Sequence, residues 1–136
     1  METLNILLVE DNEADILITQ EILNPGRILE TLNTVSTAEE ALLYLHQATP
    51  FRQVVKPDLI ILDINLPKSS GFAVLFEVKT NPELSDIPVI ILTSSTNESN
   101  RNYALKNGAD DYMEKPLEIE LLRGFLKNRL IKVKSA

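Results

Sequence analysis

Five positions of this 136-residue chain carry side chains suited to chemistry, and they sit at the ends of short apolar or mixed runs. Glu10 and Asp11 follow NILLV at 5–9, Asp63 follows LIIL at 59–62, Thr93 follows VIIL at 89–92, and Lys115 follows DYME at 111–114. If these runs lie side by side in one sheet, three carboxylates, a hydroxyl and an ammonium converge on one edge. Crowding three carboxylates is costly, because each opposes ionisation of the others. A hard divalent cation relieves that repulsion, and Mg²⁺ typically takes one or two carboxylates together with waters and phosphate oxygens. The threonine and the lysine then make sense as donors to a phosphoryl group carried on one of the acids.

The elements that must hold these residues are legible in the hydropathy pattern. Asn5–Val9, Leu59–Leu62 and Val89–Leu92 are too short for helices and rich in aliphatic residues, and Pro57 and Pro88 precede the last two. Runs apolar on both faces suggest a parallel sheet covered on both sides. Leu32–Val35 and Asp111–Glu114 fit as two weaker strands. Between them the pattern predicts helices over Asp15–Leu23, with Ile16, Leu17, Gln20, Ile22 and Leu23 on a broad face; from Thr37, where Glu40 completes a capping box, through Leu45; over Phe72–Lys79; over Asn97–Asn107, stopped at Gly108; and over Leu117–Val133, the strongest amphipath, with Leu121, Leu122, Phe125, Leu126 and Leu130. Five βα units with right-handed crossovers make a doubly wound α/β sandwich. Ligand crevices in such sheets lie beyond the carboxyl ends of the strands, where the five polar residues sit. The units consume the chain, so one domain over 1–136 is expected.

Composition narrows the function classes. The length allows burial of roughly two-thirds of the unfolded surface in one core. With no cysteine, disulfides, thiolate metal sites and cysteine nucleophiles are excluded, and a reducing compartment is suited. The net charge of −7 argues against a general nucleic-acid binder. No apolar run approaches the roughly 18 residues of a membrane span, and Met1–Glu10 lacks the pattern of a signal peptide; a soluble cytoplasmic domain is expected. Charge is uneven: residues 1–122 carry all 20 acids against eight of the 13 basic residues, a net −12, while Arg123, Lys127, Arg129, Lys132 and Lys134 follow with no acid among them. Those cations oppose the negative end of their own helix dipole or offer a docking surface for acids.

Four segments in order, ILLVEDN at 6–12, PDLIILDINLPKSSGF at 57–72, IPVIILTSS at 87–95 and GADDYMEKP at 108–116, resemble the receiver domain of two-component response regulators, the CheY-like family, along essentially the full chain. The resemblance implies a flavodoxin-like (βα)5 three-layer sandwich with a five-stranded parallel sheet in the order 2-1-3-4-5. It implies that Asp63 is the phosphoacceptor for a histidine kinase. Mg²⁺ would be held by Glu10, Asp11, Asp63 and the backbone carbonyl of Asn65. Thr93, Lys115 and Ser94 would bind the phosphoryl oxygens, Thr93 and Tyr112 would form a switch, and Pro116 would follow a cis bond. The family commonly docks or dimerises through its fourth helix, fifth strand and fifth helix. A second helix opening TAEEAL without the usual glycine, the long Gln47–Lys56 connection, NEAD at the start of the first helix and the LPKSSGF loop resemble stand-alone regulators that partner phytochrome kinases.

Other readings of the same residues exist. Taken singly, Glu10-Asp11 is a helix cap, Asp63 a turn acid, Lys115 a surface lysine and Tyr112 a packed aromatic. His46 has no evident role, Asp110 and Asp111 read as solvated, and Asp15 reads as a first-turn helix residue. A phosphatase that forms an aspartyl-phosphate needs a second Asp two residues after the nucleophile, where this chain has Asn65, an amide that cannot deliver a proton. A flavodoxin-like electron carrier needs a phosphate cradle at its first loop, and EDNEAD would repel one. A degenerate receiver that only docks a partner is the remaining alternative.

Overall fold

The computed structural model describes residues 4–23, 30–95 and 97–135, with side chains described for all of these except 30 and 130–135. Leu130, Lys132 and Lys134 of the expected amphipathic, basic end therefore lie outside the described side chains. Strands and helices alternate as β1 (Leu4–Val9), α1 (Glu13–Leu23), β2 (Glu30–Val35), α2 (Ala38–Leu45), β3 (Leu59–Leu62), α3 (Phe72–Thr80), β4 (Val89–Thr93), α4 (Glu98–Lys106), β5 (Asp111–Glu114) and α5 (Ile119–Ser135). All neighbours pair in parallel, and the sheet order is β2-β1-β3-β4-β5. This is the flavodoxin-like arrangement expected.

Alternation along the strands splits the core in two. Leu7 and Val9 of β1, Ile60 and Leu62 of β3 and Ile91 of β4 pack with α2, α3 and Ala104 of α4. Ile6 and Leu8, Leu59 and Ile61, and Ile90 and Leu92 face the other way, onto Leu23 of α1 and Leu122 and Leu126 of α5. Residues of β1, β3 and β4 are thus apolar on both faces because both faces are covered, each fully buried aliphatic contributing roughly 1.5–3 kcal/mol.

Local chemistry sets the helix ends. Thr37 accepts from the Glu40 amide at 3.0 Å, and Glu40 Oε1 accepts from the Ser36 amide at 3.2 Å. Asn97 caps α4 by accepting from the Ser99 and Asn100 amides. Gly108 ends that helix at φ 101°, a left-handed conformation that favours glycine. On α1 the buried side differs from the expected face: Thr19 and Leu23 are buried with Ile16 and Ile22 packed beside them, while Leu17 and Ile18 are exposed. The pattern alone could not orient a helix in which Ile16, Leu17 and Ile18 are consecutive and so spread round most of its circumference.

Asp110 is the clearest correction. It is not solvated: Asp110 Oδ2 accepts from Lys79 Nζ at 2.9 Å and from the Val89 amide at 2.8 Å, and its other oxygen meets Arg129. Lys79 also donates to the Ile87 carbonyl at 3.0 Å, tying α3 to the start of β4. Burial, then the Arg129 charge, pull the Lys79 ammonium below its ordinary value, with Asp86 opposing. A largely buried cation stripped of its carboxylate is costly, so Asp110→Ala is expected to cost about 2 kcal/mol in urea unfolding, below the roughly 3–5 kcal/mol typical of a fully buried pair because both side chains keep some solvent. A loss within 0.5 kcal/mol, the usual range for a surface change, would show that the network is dispensable. His46 likewise has a partner, Glu77 at 2.9 Å, a half-exposed pair of little energetic worth.

Candidate functional site

The strand ends are fixed by ladder hydrogen bonds that run one residue past β1, β3 and β5. The Glu10 amide donates to the Val35 carbonyl at 3.0 Å, the Asp63 amide to Val9 at 3.0 Å, and the Lys115 amide to Thr93 at 2.8 Å. Glu10, Asp63, Thr93 and Lys115 are thereby brought to one edge of the sheet, as the spacing predicts. Behind Asp63, Gly71 donates to the Ile64 carbonyl at 3.0 Å, and a Cβ there would lie 2.3 Å from the Asp63 carbonyl oxygen. Its φ of −59° is ordinary, so this glycine is required by close approach.

Lys115 is the hub. Its ammonium reaches Glu10 Oε1 at 2.6 Å, Asp63 Oδ2 at 2.8 Å and Asp15 Oδ2 at 2.8 Å. Burial pulls the ammonium's pKa down, but the bonds to Asp15, Asp63 and Glu10 together outweigh it and hold the group above its ordinary value. Glu10 is raised instead, chiefly by burial, with Lys115 and the Asn12 amide working against it and the Asp63 charge adding to it. Its Oε2 accepts from that amide at 3.2 Å, and Asp63 Oδ1 accepts from the Asn65 amide at 2.9 Å.

Glu10, Asp11 and Asp63 each offer a carboxylate oxygen, and these oxygens lie within 4.8 Å of one another. Glu10 and Asp63 are buried and Asp11 is exposed. An open, all-oxygen set of this kind suits a hard divalent cation. The fit is electrostatic as well as geometric, because three carboxylates at this spacing repel one another with one ammonium between them.

The hydroxyl side is less uniform. Thr93 is fully buried, and its Oγ1 accepts from Asn65 Nδ2 at 3.4 Å and from the Ser95 amide at 3.3 Å. Ser94 is exposed. The Lys115–Pro116 bond is cis, as is Thr49–Pro50. Tyr112 is not on the solvent side from which a switch would start: its ring is 8% exposed and its hydroxyl donates to the Ser95 carbonyl at 3.3 Å. Arg101 lies 5.8 Å from the ring centroid and donates to the Tyr112 carbonyl at 3.4 Å, beside a 150 Å³ cavity between the start of α4 and β5. The ring is held in this position by its hydroxyl's bond to the Ser95 carbonyl and by the Arg101 guanidinium.

Two participants escaped the sequence reading. Asp15 belongs to the Lys115 cluster, and Arg101 covers Tyr112. Asp15 is 100 residues from Lys115, and the one-turn spacing from Asp11 signals a helix face without saying what faces it.

The sequence matches the response regulator receiver domain family over residues 6–127. The chain belongs to this family. Receivers are modules of two-component signal transduction and not enzymes in the ordinary sense. Response regulator Rcp1 of Synechocystis sp. strain PCC 6803 is 44% identical over 93 residues, covering 68% of this chain and 63% of that protein. The chain thus spans under two-thirds of the length of that curated relative. Among solved structures, the phosphorylated cyanobacterial phytochrome response regulator RcpA is 37% identical at a TM-score of 0.81, covering 96% of this chain and 92% of that one. The Mn²⁺-bound form of Rcp1 is 36% identical at a TM-score of 0.78, covering 94% and 91%. The receiver described here is therefore similar to phytochrome response regulators in sequence and in fold. Among the described residues no helix is long and apolar enough to cross a membrane.

Proposed function

We propose that residues 1–136 form one receiver unit that accepts a phosphoryl group on Asp63 from a histidine kinase and changes its partner binding in response. The observation that carries this reading is the setting of Asp63: one oxygen on the Lys115 ammonium, the other on the Asn65 amide, and both acids of the Glu10-Asp11 pair alongside. In the transfer, an Asp63 oxygen attacks phosphorus and forms a new P–O bond. The P–N bond of the kinase phosphohistidine breaks, and the imidazole leaves with the electron pair and is protonated. Positioning and charge neutralisation supply most of the catalysis in such a step. Lys115 and the Thr93 hydroxyl would bind the phosphoryl oxygens, with Ser94 at the open rim.

Mg²⁺, held by Glu10, Asp11, Asp63 and the Asn65 backbone carbonyl, would supply neutralisation of the converging negative charge. The acids alone make a test. Saturating Mg²⁺ is expected to raise the melting temperature by mass action. Asp11→Asn, with one repelling charge gone, is expected to be slightly more stable without metal and to lose most of that Mg²⁺ response. A full response in this variant would remove Asp11 from the site.

The likeness to RcpA, a phytochrome response regulator, supports a phytochrome kinase as the sensor partner, and a chain without cysteine suits the reducing cytoplasm. The downstream partner is a protein, the acidic balance disfavouring nucleic acid. We assign its docking, or that of a second copy, to α4, β5 and α5, with Thr93 and Tyr112 as the bistable link between site and surface. Arg123 and Lys127 remain at the surface there, whereas Arg129 is engaged by Asp110.

Intact-mass measurement after incubation with Mg²⁺ and acetyl phosphate tests the reading. One added phosphoryl group, labile to hydroxylamine as an acyl phosphate is, is expected. No uptake from acetyl phosphate or from a phosphorylated histidine kinase would overturn it and leave a module that docks without phosphorylation.

A further inference from the structure

Lys115 offers three ammonium hydrogens, and the structure shows three carboxylate oxygens placed to take them: Glu10 Oε1, Asp63 Oδ2 and Asp15 Oδ2. The proposed function asks the same ammonium to bind an incoming phosphoryl oxygen. One of the three partners must then yield. The three differ in what yielding would cost them. Glu10 has a side chain only 3% exposed, so water cannot take the lysine's place on its Oε1 without the core opening. Asp63 is the acid that would carry the phosphoryl group, and its side chain is 7% exposed. Asp15 stands apart: its side chain is 33% exposed, on the first turn of α1, and its backbone amide is independently held by Asn12 Oδ1 at 3.0 Å. Water can solvate the Asp15 carboxylate as soon as the lysine leaves it. It also lines a 290 Å³ cleft with Ile18, Thr19, Pro116 and Leu117, which gives the carboxylate room to turn away from the lysine without repacking the core.

We propose that Asp15 is a positioning residue that holds the third donor of Lys115 while the site is empty and releases it to the phosphoryl group. Asp15 competes with that group for one hydrogen bond and so lowers the affinity of the site for it. The inference rests on the phosphoacceptor reading of Asp63 and adds a residue to it. Asp15 touches neither the trio of acids that gathers about the cation position nor the reacting oxygen, and it acts through Lys115 alone.

Beryllium fluoride, which mimics a phosphoryl group on a carboxylate, separates the two claims when titrated into the full chain at saturating Mg²⁺. Wild type is expected to bind it; failure of wild type to bind would overturn the phosphoacceptor reading itself. Asp15→Asn and Asp15→Ala are expected to bind it roughly five-fold more tightly, the factor made by about 1 kcal/mol for a partly exposed charged hydrogen bond. Glu13→Gln removes the same charge from the same exposed helix turn without touching Lys115, and is expected to match wild type. Unchanged or weaker binding in the Asp15 variants, in proteins that melt as wild type does, would overturn the Asp15 role and leave Asp63 standing. An equal gain in Glu13→Gln would also overturn it, because the effect would then be a general field of negative charge. The split between Asp15 and Glu13 is a readout that a merely structural contribution to α1 would not produce.

Discussion

Asp63→Asn is expected to take up no phosphoryl group from acetyl phosphate under conditions that label wild type fully. The side chain keeps its shape and its hydrogen bond from the Asn65 amide, but an amide oxygen is too poor a nucleophile to attack the phosphorus of acetyl phosphate and displace acetate. The other acids do not substitute. Glu10 is committed through both oxygens, to Lys115 and to the Asn12 amide, and Asp11 is exposed and has no contact with the lysine among the described residues. Asp15 meets Lys115, yet it lies outside the trio whose oxygens gather within 4.8 Å. Intact mass decides the matter, with peptide mapping to locate any residual label. Full labelling of the variant would refute the assignment of Asp63. The fold should survive, since Asp63→Asn also removes one of three mutually repelling charges.

Lys115→Met is expected to be the most destabilising single change at the site. Methionine fills a similar volume but leaves Glu10 and Asp63, both buried, facing each other and Asp15 with no cation. Removing one partner of a buried ionic cluster typically costs on the order of 3–5 kcal/mol. Glu10 already titrates above its ordinary value because of burial, so proton uptake there limits the loss. A divalent cation neutralises the same acids, and its stabilising effect follows mass action, about 2.7 kcal/mol at a hundred times the dissociation constant. The expected signature is therefore paired: a large fall in urea stability without metal, and a larger Mg²⁺ rescue than wild type shows. Phosphoryl uptake should fall as well, because the ammonium donor is gone. Equal stability of wild type and variant without metal would show that Lys115 does not hold the cluster together, and equal Mg²⁺ rescue would separate the lysine from the cation site.

The sheet and its edge were legible in the sequence because they depend on local signals. β1, β3 and β4 each carry a continuous aliphatic run, which only a sheet covered on both faces can bury, and Glu10, Asp63 and Lys115 follow, and Thr93 ends, strands whose ends a parallel sheet must align. The helix ends were legible for a similar reason, since Thr37 with Glu40, Asn97 and Gly108 act on their own neighbouring backbone. The tertiary structure alone decided what each charged side chain meets. Asp110 reads as a solvated acid and is the anchor for Lys79 and Arg129; Tyr112 reads as a switch or a packed aromatic with no partner named, and its hydroxyl meets the Ser95 carbonyl under Arg101; Asp15 reads as a first-turn helix residue and closes the coordination of Lys115. Hydropathy signals which segments form strands and helices, though on α1 it did not give the buried face, whereas charge pairing depends on distances between elements far apart in the chain. Those distances are set by how the helices settle on the sheet, so they exist only once the core has packed.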